Sequence, residues 1–190
     1  MRFEFATATR IIFGPAVLRE AAGLSAGMGK RAFVVTGRTT QRAVPLLEQL
    51  GKQGVECTTF CVAGEPTTHL AKEAVELARR AACDFVVSIG GGSILDTGKV
   101  AAAMLTNTGE LEDYLEVVGA GKPLAQNSAP HVAIPTTAGT GAEVTCNSVL
   151  GVPEHRVKVS MRSPFMLPRL ALVDPELTYS MPPAVTASTG

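Results

Sequence analysis

The chain has 190 residues, with 17 Lys+Arg against 17 Asp+Glu and a formal net charge of zero. Hydrophobic residues make up 46% and charged ones 18%, at a mean hydropathy of +0.22, which excludes a polar, charge-rich disordered chain. Balanced charge, a pI near 6.8 and the lack of a Lys/Arg cluster leave no electrostatic footprint for nucleic acid. No apolar stretch approaches the ~20 residues that a membrane-spanning helix needs. Met1-Arg2-Phe3-Glu4-Phe5 lacks the apolar run of a signal peptide. The expectation is a soluble cytoplasmic protein without a nucleic-acid or membrane partner.

In chain order, an extended run from Phe3 to Phe13 opens the sequence, and Gly14-Pro15 leads into a short helix through Val17-Leu18 and Ala21-Ala22. Ala32-Phe33-Val34-Val35-Thr36 is a continuous apolar run, the pattern of a parallel strand covered on both faces. Val44, Leu47 and Leu50 mark a helix ending near Gly51 and Gly54, and a strand spans Glu56 to Val62. A long helix follows Pro66, with Leu70, Ala74, Leu77 and Ala78 on one face. Asp84 to Ile89 is the next buried strand; it runs into Gly90-Gly91-Gly92-Ser93 and a helix reaching Leu105. This βαβαβα order predicts an α/β fold: a Rossmann-like, doubly wound parallel sheet with helices on both faces.

Beyond Asn107-Thr108-Gly109 and a Gly/Pro/Ala-rich loop from Gly119 to Pro130, a strand at His131 to Ile134 ends in Pro135-Thr136-Thr137-Ala138-Gly139-Thr140-Gly141. Pro153-Glu154-His155-Arg156 reads as a hairpin turn, and Leu170 to Val173 as the last strand, closed by Asp174-Pro175. Met181-Pro182-Pro183 begins a helix that stops at Gly190, so one domain is expected over 1–180 and the truncated start of a second over 181–190.

Cys57, Cys61, Cys83 and Cys146 have no zinc-type spacing and read as buried free thiols. His69, His131 and His155 match no metal-ligand pattern and read as structural or surface groups. Gly90-Gly91-Gly92-Ser93 joins a strand to a helix, where glycines admit close approach and the first helical N–H groups face outward: an anion site, or a turn selected for packing alone. The run is neither a G-x-G-x-x-G nor a P-loop, since Ser93 and Val100 stand where a P-loop needs Gly and Ser/Thr. Asp96, placed in the first turn of that helix, is either functional or a capping carboxylate. Thr136, Thr137 and Thr140 lie at the C-terminal end of a strand, where open α/β sheets bind ligands. Glu143 reads as a solvated or structural carboxylate rather than a base, and Lys158, taken alone, as a surface charge.

The segments Ser88 to Lys99, Ile134 to Thr145 and Leu172 to Thr178 together resemble the iron-containing alcohol dehydrogenases, and the resemblance covers essentially the whole chain as that family's N-terminal nucleotide-binding domain. It implies that Gly91, Gly92 and Ser93 hold a cofactor diphosphate and that Asp96 lies near the nicotinamide. Thr136, Thr137 and Thr140 would line the cleft, and Lys158 and Leu177 would contact the ribose and its surroundings. At Thr36-Gly37-Arg38, relatives that prefer NAD commonly carry an Asp. Gly37 stands in its place with Arg38 beside it, which favours NADP over NAD because a guanidinium pairs with a 2′-phosphate.

The family's metal ligands, an Asp and three His holding Fe or Zn, match no residue here, so the isolated chain is expected to bind cofactor without turnover, with no catalytic or metal-binding residue of its own. The whole enzyme would act on a small-molecule alcohol or aldehyde. The resemblance and the early strand, a candidate exposed edge, both suggest a homodimer. A stand-alone nucleotide-binding module, a glycerol dehydrogenase or maleylacetate reductase-like relative, and another chemistry on the same fold are the alternatives.

Overall fold

A computed structural model describes residues 1–189. Its frame is a six-stranded sheet in the order β1-β8-β5-β4-β2-β3, every neighbouring pair parallel. The strands are β1 (Ile11–Phe13), β2 (Arg31–Thr36), β3 (Glu56–Cys61), β4 (Phe85–Gly90), β5 (His131–Pro135) and β8 (Leu170–Val173); β6 (Asn147–Val152) and β7 (Val157–Arg162) form a separate antiparallel hairpin around the expected turn. The helices are α1 (Ala21–Ser25), α2 (Val44–Lys52), α3 (Thr68–Arg80), α4 (Gly92–Thr106) and α5 (Pro183–Thr189). Among the described residues no helix is long and apolar enough to cross a membrane.

Alternating side chains of the central strands feed two cores, because successive residues of a strand point to opposite faces. Ala32, Val34, Phe85, Val87, Ile89, Val132 and Ile134 pack with Leu46 and Leu50 of α2. Phe33, Val35 and Val86 face Ala74 and Ala78 of α3 and Ala101 and Ala102 of α4. A third cluster joins Val100 and Met104 of α4 to Leu150, Val159 and Met161 of the hairpin.

From β2 the chain crosses through α2 to β3, then returns through α3 to β4 on the other side of β2. The loops after β2 and β4 therefore leave the sheet in opposite directions, opening the crevice in which doubly wound sheets take ligands. Helix α4 lies against β4 and β5 at Gly98, where a Cβ would stand 1.8 Å from Ser88 Oγ and 3.0 Å from His131 Nε2.

Three expectations are corrected. Of the run from Phe3 to Phe13, only Ile11–Phe13 is a strand, paired with residues 171–173 of β8. Upstream of β8 stands Pro168, which has no N–H to continue a ladder; Thr9 donates to its carbonyl at 3.1 Å, and Phe3 and Phe5 are exposed. The α3 face of Leu70, Ala74, Leu77 and Ala78 packs as expected into one cluster with Phe33 and Val86, and the helix also buries Ala71 and Val75 against the hairpin side. Of the four cysteines only Cys83 is buried; Cys61 is exposed and the other two half-buried. Asp96 is the fifth residue of α4, beyond the first turn.

Candidate functional site

Gly91 is the N-cap of α4 in an extended conformation (φ −77°, ψ −177°); no side chain caps the helix and no acid occupies its first turn. The leading N–H groups of a helix have no partner within it, so α4 begins with uncapped donors at the positive end of its dipole. The loop after β5 faces them. Thr136 N donates to Gly90 O at 2.9 Å, which ties the two loops together. A Cβ on Gly91 would come within 3.4 Å of the Thr137 methyl and hydroxyl, and one on Gly92 within 3.3 Å of Thr140 Cγ2. The glycines thus leave a backbone-lined slot between the loops. Thr137 Oγ1 is buried there without a hydrogen-bond partner, a polar atom of the kind that native structures satisfy with a ligand or water.

A cavity lies on each side of this slot. The larger, about 450 Å³, is lined by Gly92, Ser93, Asp96, Thr140 and Lys158, with Glu65 and Asn147. The smaller, about 180 Å³, is lined by Thr36, Gly37, Arg38, Arg42, Gly91 and Thr136. Ten of the eleven expected residues are thereby brought to the slot and its two flanks. Leu177 is the exception: it packs against the α2-side core and lines neither cavity. Lys158 reaches the larger cavity in an ion pair with Glu65 at 2.7 Å. The larger cavity thus carries two carboxylates and one cation on its rim, whereas no carboxylate lines the smaller one.

The charge buried beside the larger cavity is Lys99, which the sequence reading passed over. Its side chain is fully buried and its Nζ lies 3.0 Å from Asp96 Oδ1. It donates to Thr145 Oγ1 at 3.1 Å and to the Asn147 carbonyl. Burial pulls the Lys99 pKa down, and the Asp96 carboxylate opposes that shift. Asp96 Oδ2 accepts from Val149 N at 3.0 Å, and the Asp96 carbonyl accepts from Ser148 Oγ at 3.1 Å. Asp96 is thus neither a cap nor a loose carboxylate; it fastens α4 to β6. A signal for Lys99 was present in the sequence, since it is the one cation between Gly98 and the apolar run Val100 to Leu105. Arg42 was missed as well; its guanidinium donates to Ser180 Oγ, 138 positions away.

Fold and geometry together define a doubly wound domain with a backbone-lined slot between helix-terminal amides and an unpartnered threonine hydroxyl. The iron-containing alcohol dehydrogenase family model matches residues 8–175, and the chain belongs to that family. It is 40% identical over 149 residues to choline dehydrogenase of Bacillus subtilis, covering 78% of this chain and 37% of that protein. It superposes on 1,3-propanediol oxidoreductase with a TM-score of 0.90 at 31% identity, and on sulfoacetaldehyde reductase from Bifidobacterium kashiwanohense in complex with NAD+ with 0.86 at 34%. Each superposition covers 100% of this chain and 50% of the other; the chain spans half the length of these relatives or less.

Proposed function

We propose that this chain is the cofactor-binding half of an NAD(P)-dependent alcohol dehydrogenase that interconverts a small alcohol and its aldehyde. The observation that carries the reading is the slot between Gly91-Gly92 and Thr137, with its unpartnered buried hydroxyl. In the complete enzyme the bound nicotinamide supplies hydride transfer. This chain's own residues bind and orient. The amides at Gly91, Gly92 and Ser93 take the diphosphate, and Thr136, Thr137 and Thr140 close the opposite wall. Asp96 and Lys158 flank the larger cavity on the nicotinamide side, and Leu177 supports the fold from beneath.

Among the described residues no group of three or more His, Cys, Asp or Glu side chains is placed to hold a metal ion, so no step through iron or zinc is assigned to them. The chain by itself binds cofactor without turnover. Four free thiols fit a reducing, cytoplasmic compartment. The exposed Phe3, Phe5 and Phe13 beside the edge strand β1 fit a homodimer.

The smaller cavity favours NADP. It carries guanidinium groups and no carboxylate, and Gly37 leaves room, since a Cβ there meets only Ile94 Cδ1 at 3.7 Å. Calorimetric titration with NADPH and NADH tests this. NADPH binds more tightly; Arg38→Ala weakens NADPH about tenfold, the loss of roughly one charge-assisted pair; and Gly37→Asp shifts the preference to NADH. Absence of saturable binding overturns the cofactor reading, and tighter NADH binding indifferent to Arg38 overturns the NADP preference.

A further inference from the structure

Arg38 is not the only cation at the smaller cavity. Arg42, on the 3₁₀ turn Thr40–Ala43 that leads into α2, lines the same space together with Thr39 and Ala43. It is half-buried, and it forms no salt bridge among the described residues. One of its terminal nitrogens donates to the neutral Ser180 hydroxyl. A guanidinium carries five N–H donors, so a single serine orients the group and leaves most of its donors and all of its charge available.

We propose that Arg42 is a second reader of the cofactor's 2′-phosphate, forming a two-guanidinium clamp with Arg38, and that Ser180 is the residue that positions it. The proposal rests on the reading of the Gly91–Gly92 slot as a dinucleotide site. A phosphate held between two forks gains geometric selectivity as well as charge neutralisation. Because Ser180 lies in the stretch between the turn Pro175–Thr178 and α5, the phosphate-reading side chain is anchored to the segment that leaves the sheet. Residues 138 positions apart in the sequence thereby set cofactor choice together.

The test is calorimetric titration of the chain with NADPH, NADH and adenosine 2′,5′-bisphosphate, repeated for Arg42→Gln, Arg42→Lys, Ser180→Ala and Arg38→Ala. Arg42→Gln weakens NADPH and the bisphosphate about tenfold or more and moves NADH less than about twofold. Arg42→Lys recovers part of that loss through its charge. Ser180→Ala weakens the two phosphate-bearing ligands about threefold, again sparing NADH. A merely structural role for Arg42 or Ser180 would weaken NADPH and NADH alike, and that result overturns the proposal. So does unchanged NADPH binding in Arg42→Gln while Arg38→Ala weakens it, an outcome that leaves the proposed function standing. Failure of all three ligands to bind removes the dinucleotide reading and this proposal with it.

Discussion

Lys99 shows how one side chain joins the site to the frame. A fully buried ammonium is tolerated because Asp96, Thr145 and the Asn147 carbonyl surround it, and those three partners all line the larger cavity while Lys99 itself does not. Removing one member of a buried pair leaves the other charge uncompensated. Lys99→Met therefore costs about 3 kcal/mol, the low end for such pairs because Asp96 keeps 16% side-chain exposure. A urea midpoint measures it, and Asp96→Asn added to Lys99→Met recovers part of the loss. A double-variant loss equal to the sum of the losses in Lys99→Met and Asp96→Asn alone would show that the two groups act independently. Gly90 to Ser93 was legible in the sequence because close backbone approach restricts residue type. Arg42 and Ser180 were not, since nothing local marks two polar residues that meet only after the sheet closes.

At the level of elements, legibility followed burial. β2, β4 and β5 are covered on both faces and read directly as continuous apolar runs, and the α3 face of Leu70, Ala74, Leu77 and Ala78 packs against β2 and β4 as its spacing predicts. Strand pairing upstream of Ile11 depended on what β8 offered as a partner, which the run from Phe3 to Phe13 does not itself encode. Under α4, where β4 and β5 adjoin, His131 Nε2 meets Ser88 Oγ at 3.0 Å. Burial, then the nearby Lys99, lowers the His131 pKa from 6.5 to about 3. The unfolded chain thus takes up a proton below pH 6.5 that the folded chain refuses until about pH 3. Stability is fully present above that window and falls as the pH drops through it. Between pH 7 and 5 the loss from this group is about 2 kcal/mol. Urea titrations at the two pH values measure it, and His131→Asn removes this part of the slope; an unchanged slope would place the titrating group elsewhere.

The molecule as a whole is a sheet with unequal edges. β3 ends one side with half-buried and exposed residues, none of them a large exposed hydrophobic, and β1 ends the other with Ile11 and Phe13 exposed, downstream of the exposed Phe3 and Phe5. Unpaired backbone and apolar side chains on one edge favour pairing with a second copy. Sedimentation of the chain is expected to show a dimer, shifted toward monomer by Phe3→Ser combined with Phe5→Ser, two changes that remove no buried side chain. A monomer across the accessible concentration range would refute that arrangement.

The close seating of α4 on β4 at Gly98 has a thermodynamic consequence for the ligand. With no side chain of its own at Gly98, α4 rests directly on Ser88 and His131, and the amides at Gly91 to Ser93 are held in place by the sheet before anything binds. The ordering entropy that a flexible loop surrenders on capture has already been spent in folding. A ligand arriving at this slot meets donors already aimed, so its binding enthalpy is diluted by little loss of freedom in the protein.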